Sequence, residues 1–384
     1  MSRSFDALER AQRIGLEVAA PLADAVDRDA RFPSEAFDAL RAERMLGIFI
    51  PTEFGGGGCS IADLSAICAT LGQYCSATAM IFAMHQIQVA CIVRHARESR
   101  FFQGYLAELA DTQALIASAT SEIGVGGDVR SSVCTIERDE GSFFLSKRAP
   151  VISYGEYADA ILATARRAPD APPSDQVLVL LKRDEFTLVR TSGWDTLGFR
   201  GTCSPGFTLS ATAKDDHILP ETYATISSET MLPVSHIVWS SLWLGIATAA
   251  VGRARSYIRG EARKSPGKTP AASVRLAEVV STLQGMRALV NDSVRDYESI
   301  MHDPDSLSAM NFAIRMNNLK LNCSTTVVDI VSQALLICGM SGYRADSTFS
   351  LGRLLRDAYG AALMINNDRI YGANAAMLLV SKDD

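Results

Sequence analysis

The chain has 384 residues, 48% hydrophobic and 21% charged, which is the balance of a soluble globular protein with length for two or three domains. A formal net charge of -6 excludes the broad basic face of a nucleic-acid binder, but not one small basic pocket for a phosphorylated ligand. The eight cysteines include no CxxC pair, which argues against zinc. Cys68 and Cys338 lie in apolar runs, as buried thiols of a reducing cytoplasm would.

The first region, 1–112, reads as helical. It opens with a polar, charged segment unlike a signal peptide, so a cytoplasmic location is expected. Leu8, Ala11, Ile14, Val18, Leu22 and Val26 recur at steps of three and four and predict one helical stripe. A short helix follows over 36–46. The run Gly55-Gly56-Gly57-Gly58 must be a turn, and helices resume from Ser60 and over 79–93. The second region, 113–220, carries short apolar or alternating runs separated by Gly, Pro, Asp and Ser. Strands are expected at 114–119, 133–137, 143–146, 160–165, 177–181 and 207–210, dense enough for a compact barrel or sandwich. The third region, 221–384, returns to helical periodicity. Four long helices fit, at 234–262, 271–301, 306–338 and 349–380. Its most apolar windows, 237–251 and 327–338, fall short of a membrane span and read as core helices. The fold class is therefore α+β and multidomain: an N-terminal helical domain, a central β-barrel-like domain and a C-terminal four-helix bundle.

Local segments narrow this further. Leu46-Gly47-Ile48 with Ile50-Pro51-Thr52-Glu53-Phe54-Gly55-Gly56 resembles the "GL…P.E.GG.G" segment of the acyl-CoA dehydrogenase superfamily. Ser121-Glu122-Ile123-Gly124-Val125-Gly126-Gly127-Asp128 resembles its TEPGAGSD loop, departing at Ser121, Ile123 and Gly127. The stretch 145–159 resembles "G.K.WITNG..AD", with Val151 for the usual Trp and Ser153 for Thr. Leu197-Gly198-Phe199-Arg200-Gly201-Thr202 resembles "LG.RGS". Gly339-Met340-Ser341-Gly342-Tyr343 resembles "GG.GY", and Arg356-Asp357-Ala358 matches "RDA". Each motif is weak alone, but all occur in the family's order.

The resemblance implies a flavin, FAD with FMN as the alternative, between the β-domain and the bundle. It assigns cofactor contacts to Ser121, Gly124, Gly126, Gly127, Val151, Ser153, Gly339, Gly342 and Asn367. It also points to Arg263, near where the family's "R..FG" holds a diphosphate, although Pro266 replaces the aromatic. Glu122 matches a loop Glu that is not the family's base. A homotetramer is expected on the same grounds.

The family's base is absent. Its Glu lies nine residues after the Arg of RDA, and that count from Arg356 reaches Ile365; the alternative family position falls on Ser235. A positioned base contributes about 10² to 10⁴ in rate, so its loss bears on function. Asp368, almost one helical turn beyond Ile365, is a candidate replacement, against the plain alternative of an exposed partner for Arg369 or Lys382. His85 matches a His found near the flavin in monooxygenases of this fold and in many dehydrogenases, against a buried structural His. His236 is the third candidate, on position alone. Three functions remain open. One is a dehydrogenase of a CoA- or carrier-bound acyl thioester with a relocated base. The second is a flavin monooxygenase or oxidase, served by an electron acceptor or a flavin reductase. The third is a non-catalytic flavin-binding relative.

Overall fold

The computed structural model describes residues 3–264 and 266–380. The N-terminal stripe forms α1 (Arg3–Ile14) and α2 (Ala20–Arg28), joined by a π-helical turn at Gly15–Ala19 that rotates the buried face. Ala7, Ala11, Ile14, Ala23 and Val26 are buried, while Leu8, Val18 and Leu22 are only half-buried. Then come α3 (Ser34–Ala42), α4 (Ile61–Tyr74), α5 (Ser76–His95) and α6 (Arg100–Thr112). Ser60 starts α4 with a reciprocal capping box, Asp63 N–H donating to its hydroxyl and its own N–H donating to the Asp63 carboxylate. The four-glycine run is a turn folded back on 47–50, where a Cβ at Gly56 would overlap Ile50.

The central module is a sandwich of two sheets rather than a closed barrel. β1 (Ile116–Ala119), β4 (Ala160–Arg166) and β5 (Gln176–Lys182) form one sheet, β1 pairing parallel with β4. β2 (Glu137–Asp139), β3 (Ser142–Ala149), β7 (Phe207–Lys214) and β6 (Phe186–Arg190) form the other in the order β2-β3-β7-β6. β3 alternates buried and exposed residues along its length, as a strand facing solvent on one side should, whereas β4 and β5 are almost continuously buried. The strand expected at 133–137 is reduced to an isolated bridge at Thr135 followed by β2, and β6 was not anticipated.

The bundle comprises α7 (Tyr223–Ile226), α8 (Leu232–Lys264), α9 (Ser273–Ile300), α10 (Pro304–Leu307), α11 (Met310–Cys338), α12 (Met340–Tyr343), α13 (Gly352–Gly360) and α14 (Asn367–Leu378). The fourth long helix expected at 349–380 is broken: a turn at 361–366 separates α13 from α14, with Ile365 at φ 46°, a conformation that L-residues rarely adopt. By length and composition, α5, the segment Tyr223–Lys264 and α11 are long and apolar enough to cross a membrane; in α5 and Tyr223–Lys264 that surface is 89% buried inside the protein.

Charged groups fasten the three parts together. Arg353 of α13 pairs with Asp24 at 2.8 Å, and Arg356 pairs with Asp27, both on α2. Asp357, buried, accepts the Phe199 N–H at 2.7 Å, and a Cβ at Gly198 would overlap the Arg356 carbonyl. The "LG.RGT" and "RDA" motifs thus lock the β-module and α13 against the N-terminal helices.

Candidate functional site

The glycine turn Ser121–Asp128 leaves the end of β1. Its root is a buried ion pair: Glu122 lies 3.0 Å from Lys147 of β3, with side chains 2% and 0% exposed. The same carboxylate accepts the Ser132 hydroxyl and the Cys134 N–H, each at 2.6 Å, while Lys147 also donates to the Thr164 carbonyl and hydroxyl. Every polar atom of the pair has work, as burial demands. Glu122 is therefore a structural anchor. The next residue, Ile123, donates its N–H to the Arg148 carbonyl, which fixes the start of the turn on β3.

Beyond that root, Gly124, Gly126 and Gly127 take φ of 105°, 59° and 78° and are exposed; the backbone of Gly124 and Gly126 faces open space on its Cβ side, whereas a side chain lies against Gly127. Ser121 donates its hydroxyl to the Val151 carbonyl at 3.1 Å, bringing the glycine turn and the 151–154 turn together. Val151 is 39% exposed, and Ser153 accepts the Ser204 hydroxyl at 2.9 Å. Tyr154, at φ 44°, ties that second turn down through its hydroxyl to Ile116. From the opposite side, Arg369 of α14 donates to the Gly126 carbonyl, and a Cβ at Gly127 would overlap its guanidinium. The β-module turn and the start of α14 thus adjoin, as the sequence motifs imply.

The turn that carries Ile365 is held by a residue the sequence reading missed. Lys320 of α11, fully buried, donates to the Ile365 carbonyl at 2.8 Å and to the Asn367 side-chain oxygen. Burial pushes its ammonium down to about 8. The signal was present: Lys320 interrupts the buried stripe Met316, Cys323 and Val327 of an apolar helix, a position where a cation needs a reason.

Several expectations are corrected here. His85 is not a free base: its Nδ1 accepts the Ile116 N–H at 3.0 Å and its Nε2 faces the Leu46 carbonyl at 2.9 Å, so both ring nitrogens are committed. Burial pushes it down to about 4, leaving a neutral tether between the N-terminal helices and β1. Asn367 commits its side chain to Lys320 and Ser324. Gly342 is buried against Cys338 and Leu335, which accounts for it by packing, whereas Gly339 is an exposed turn at φ 54° closing α11. Arg263 is exposed near the end of α8 and, among the described residues, bonds only the Arg259 carbonyl of its own helix.

His236 and Asp368 stand differently. His236 is buried and pushed down to about 4 by burial; its Nδ1 lies 3.0 Å from the Met316 carbonyl, and among the described residues its Nε2 has no partner. Asp368 is exposed in the first turn of α14, and among the described residues its carboxylate has no hydrogen bond or ion pair. Arg369 turns instead to Gly126, and Lys382 lies outside the described residues. An open groove of about 510 Å³ between α4, α8 and α9, lined by Ala66, Leu244 and Val290, involves none of these residues.

A helical domain, a two-sheet β-module and a helical bundle define the acyl-CoA dehydrogenase fold. The acyl-CoA dehydrogenase N-terminal domain family matches residues 6–113 and the acyl-CoA dehydrogenase C-terminal domain family matches 226–364; the chain belongs to the acyl-CoA dehydrogenase family. It is 24% identical to amino sugar nitrososynthase of Streptomyces peucetius, over 88% of this chain and 84% of that protein. It is 22% identical to mitochondrial isovaleryl-CoA dehydrogenase of Arabidopsis thaliana, over 88% and 82%. FMN-bound dibenzothiophene monooxygenase of Paenibacillus sp. A11-2 superposes with a TM-score of 0.86, covering 99% of this chain and 98% of that one, at 19% identity. The family's flavin-dependent enzymes thus include nitrososynthase and monooxygenase relatives beside thioester dehydrogenases.

Proposed function

We propose that this chain is a reduced-flavin-dependent monooxygenase of the acyl-CoA dehydrogenase fold, using FMN. The observation that carries this reading is Ile365: the turn where a thioester dehydrogenase needs a carboxylate holds an alkyl side chain, and His85 has no nitrogen free to replace it. An oxygenase needs no base for an α-proton.

The donor set suits a flavin. The exposed backbone of Gly124 and Gly126 offers close approach on the Cβ side, with the Arg369 guanidinium beside Gly127. The Ser121 and Ser153 hydroxyls flank the adjoining turn. The second turn is fixed by Tyr154 and the first by Glu122 and Lys147, so these groups are pre-positioned rather than ordered on binding. When bound and reduced, the flavin would supply two electrons, one atom of dioxygen passing to the substrate and the other to water. Arg369 would bring a positive charge to the same turn, where it favours an anionic ring. FMN is preferred over FAD because Arg263 is engaged with its own helix and Pro266 stands where the family's aromatic would be.

Asp368 supports the second reading, a thioester dehydrogenase, because a carboxylate unpaired among the described residues lies three residues beyond Ile365. Anaerobic mixing of the flavin-loaded protein with butyryl-, isovaleryl- and octanoyl-CoA separates the two. The expected results are no bleaching of the oxidised flavin by any thioester and, with reduced FMN in air, reoxidation of the flavin at a rate changed by the protein from that of free reduced FMN, which reacts with oxygen unaided. Bleaching that disappears in Asp368→Asn overturns the oxygenase reading.

A further inference from the structure

Position 127 is one of the places where the glycine turn departs from the TEPGAGSD pattern, which carries a serine there. In this chain another residue uses the space. The Arg369 guanidinium lies where a side chain at 127 would begin, so that a Cβ at Gly127 would overlap it. Arg369 reaches this point from the first turn of α14 and donates to the Gly126 carbonyl through one nitrogen. Among the described residues its remaining N–H groups meet no acceptor and it forms no ion pair. The N–H groups of Gly126 and Gly127 likewise donate to nothing among the described residues; the backbone bond within 124–128 runs from Asp128 to the Val125 carbonyl.

The acids near this guanidinium are otherwise engaged or turned away. Glu122 is matched to Lys147, and Asp128 to Arg130 at 3.1 Å. Asp368 precedes Arg369 on α14 without pairing with it, and successive helical residues do not face each other. A guanidinium fixed beside unused backbone donors is an arrangement that holds an oxyanion. A flavin mononucleotide carries two anionic groups: a phosphate charged at all times, and a ring edge charged only after reduction. Exposure decides between them. Gly126, Gly127 and Arg369 are all exposed, which suits the hydrated end of the molecule, whereas a largely apolar ring gains from being covered. The planar fork of Arg also matches two terminal phosphate oxygens. At longer range the same positive charge acts on the ring.

We propose that Arg369, together with the N–H groups of Gly126 and Gly127, binds the 5′-phosphate of FMN, and that residue 127 lacks a side chain so that the guanidinium can lie there. The assignment rests on the FMN of the oxygenase reading and names the residues of this chain that tell the mononucleotide from riboflavin. It makes the bundle, through α14, a partner of the β-module in holding the cofactor.

Fluorescence titration of the flavin-free full chain with oxidised FMN and with riboflavin tests it. FMN should bind about tenfold more tightly than riboflavin, equivalent to about 1.4 kcal/mol, and added salt should shrink that advantage. Arg369→Met, a change at an exposed position, should abolish the advantage by weakening FMN while leaving riboflavin unchanged. Gly127→Ala keeps the arginine but occupies the place of its guanidinium, and should lower FMN affinity in the same way. Arg369→Lys, with the charge but not the fork, should fall between. Equal binding of FMN and riboflavin to the wild type overturns the proposal. So does an advantage that survives Arg369→Met, or a loss shared equally by riboflavin, which would put the guanidinium on the ring. These titrations involve neither reduction nor oxygen. A protein that prefers FMN as expected yet leaves the reoxidation of reduced FMN unchanged refutes the oxygenase reading alone; altered reoxidation without a preference for FMN refutes the phosphate site alone.

Discussion

Replacing Glu122 by alanine should damage both the fold and the cofactor turn, by amounts the geometry sets. Glu122 and Lys147 are almost fully buried 3.0 Å apart, and the carboxylate is also the acceptor for Ser132 and Cys134. Removing one partner leaves the Lys147 ammonium buried opposite no charge. Breaking a buried pair in this way costs about 3–5 kcal/mol. Replacing both, as in Glu122→Leu with Lys147→Met, removes the stranded charge and should recover at least half of that loss, because an apolar pair of similar volume is often neutral to stability. The carboxylate directly precedes the Ile123 N–H that anchors the turn on β3. Glu122→Ala should therefore also weaken flavin binding about tenfold, the equivalent of about 1.4 kcal/mol. The assay is a double-mutant cycle read by urea unfolding, with flavin affinity measured separately by visible absorbance. An alanine variant with the wild-type midpoint and flavin affinity, or a double variant no better than the single, would refute the assignment of this pair as the root of the turn.

Three further outcomes follow from the buried basic groups. His85 and His236 are held down to about 4 from 6.5, so the unfolded chain takes up protons first. Their contribution is intact above pH 6.5, declines as the pH falls from 6.5 to 4 and is gone below that, by about 3 kcal/mol apiece; unfolding midpoints across this window should show less acid loss in His236→Phe. Lys320, held down to about 8 from 10.5, makes the wild type gain stability between pH 8 and 10.5, a rise that Lys320→Met should lack. The same variant frees the Ile365 carbonyl and Asn367, so hydrogen exchange should quicken at residues 365–370.

The parts of the fold legible in the sequence were those written in local periodicity and turn chemistry. The three-and-four stripe from Leu8 to Val26, the alternation of β3 and the glycine turn each depend on neighbours a few residues away. What escaped was set by distant contacts. The segment 361–365 reads as helix, being Ala, Leu, Met and Ile, yet it turns because Lys320, 45 residues earlier, takes the Ile365 carbonyl out of any helical ladder. His85 looked catalytic from its motif, but whether a histidine is free depends on what meets its nitrogens, here Leu46 and Ile116 from other elements. His236 shows the converse: no motif marks it, and only the missing partner at Nε2 draws attention to it.

The pattern of retained and lost residues has a physical logic. The motifs kept nearly intact are structural: Gly198 with Arg356 and Asp357 fastens the β-module to α13, and Glu122 with Lys147 roots the glycine turn within the β-module. They do so whatever reaction takes place. The carboxylate at 365 does nothing for that assembly, so an apolar residue costs the fold nothing, provided the turn carrying it is still held. Lys320 meets that condition through backbone and Asn367, independent of the side chain at 365. The reaction can thus diverge at one exposed position while the glycine turn, anchored by a buried ion pair in the β-module, stays as it is.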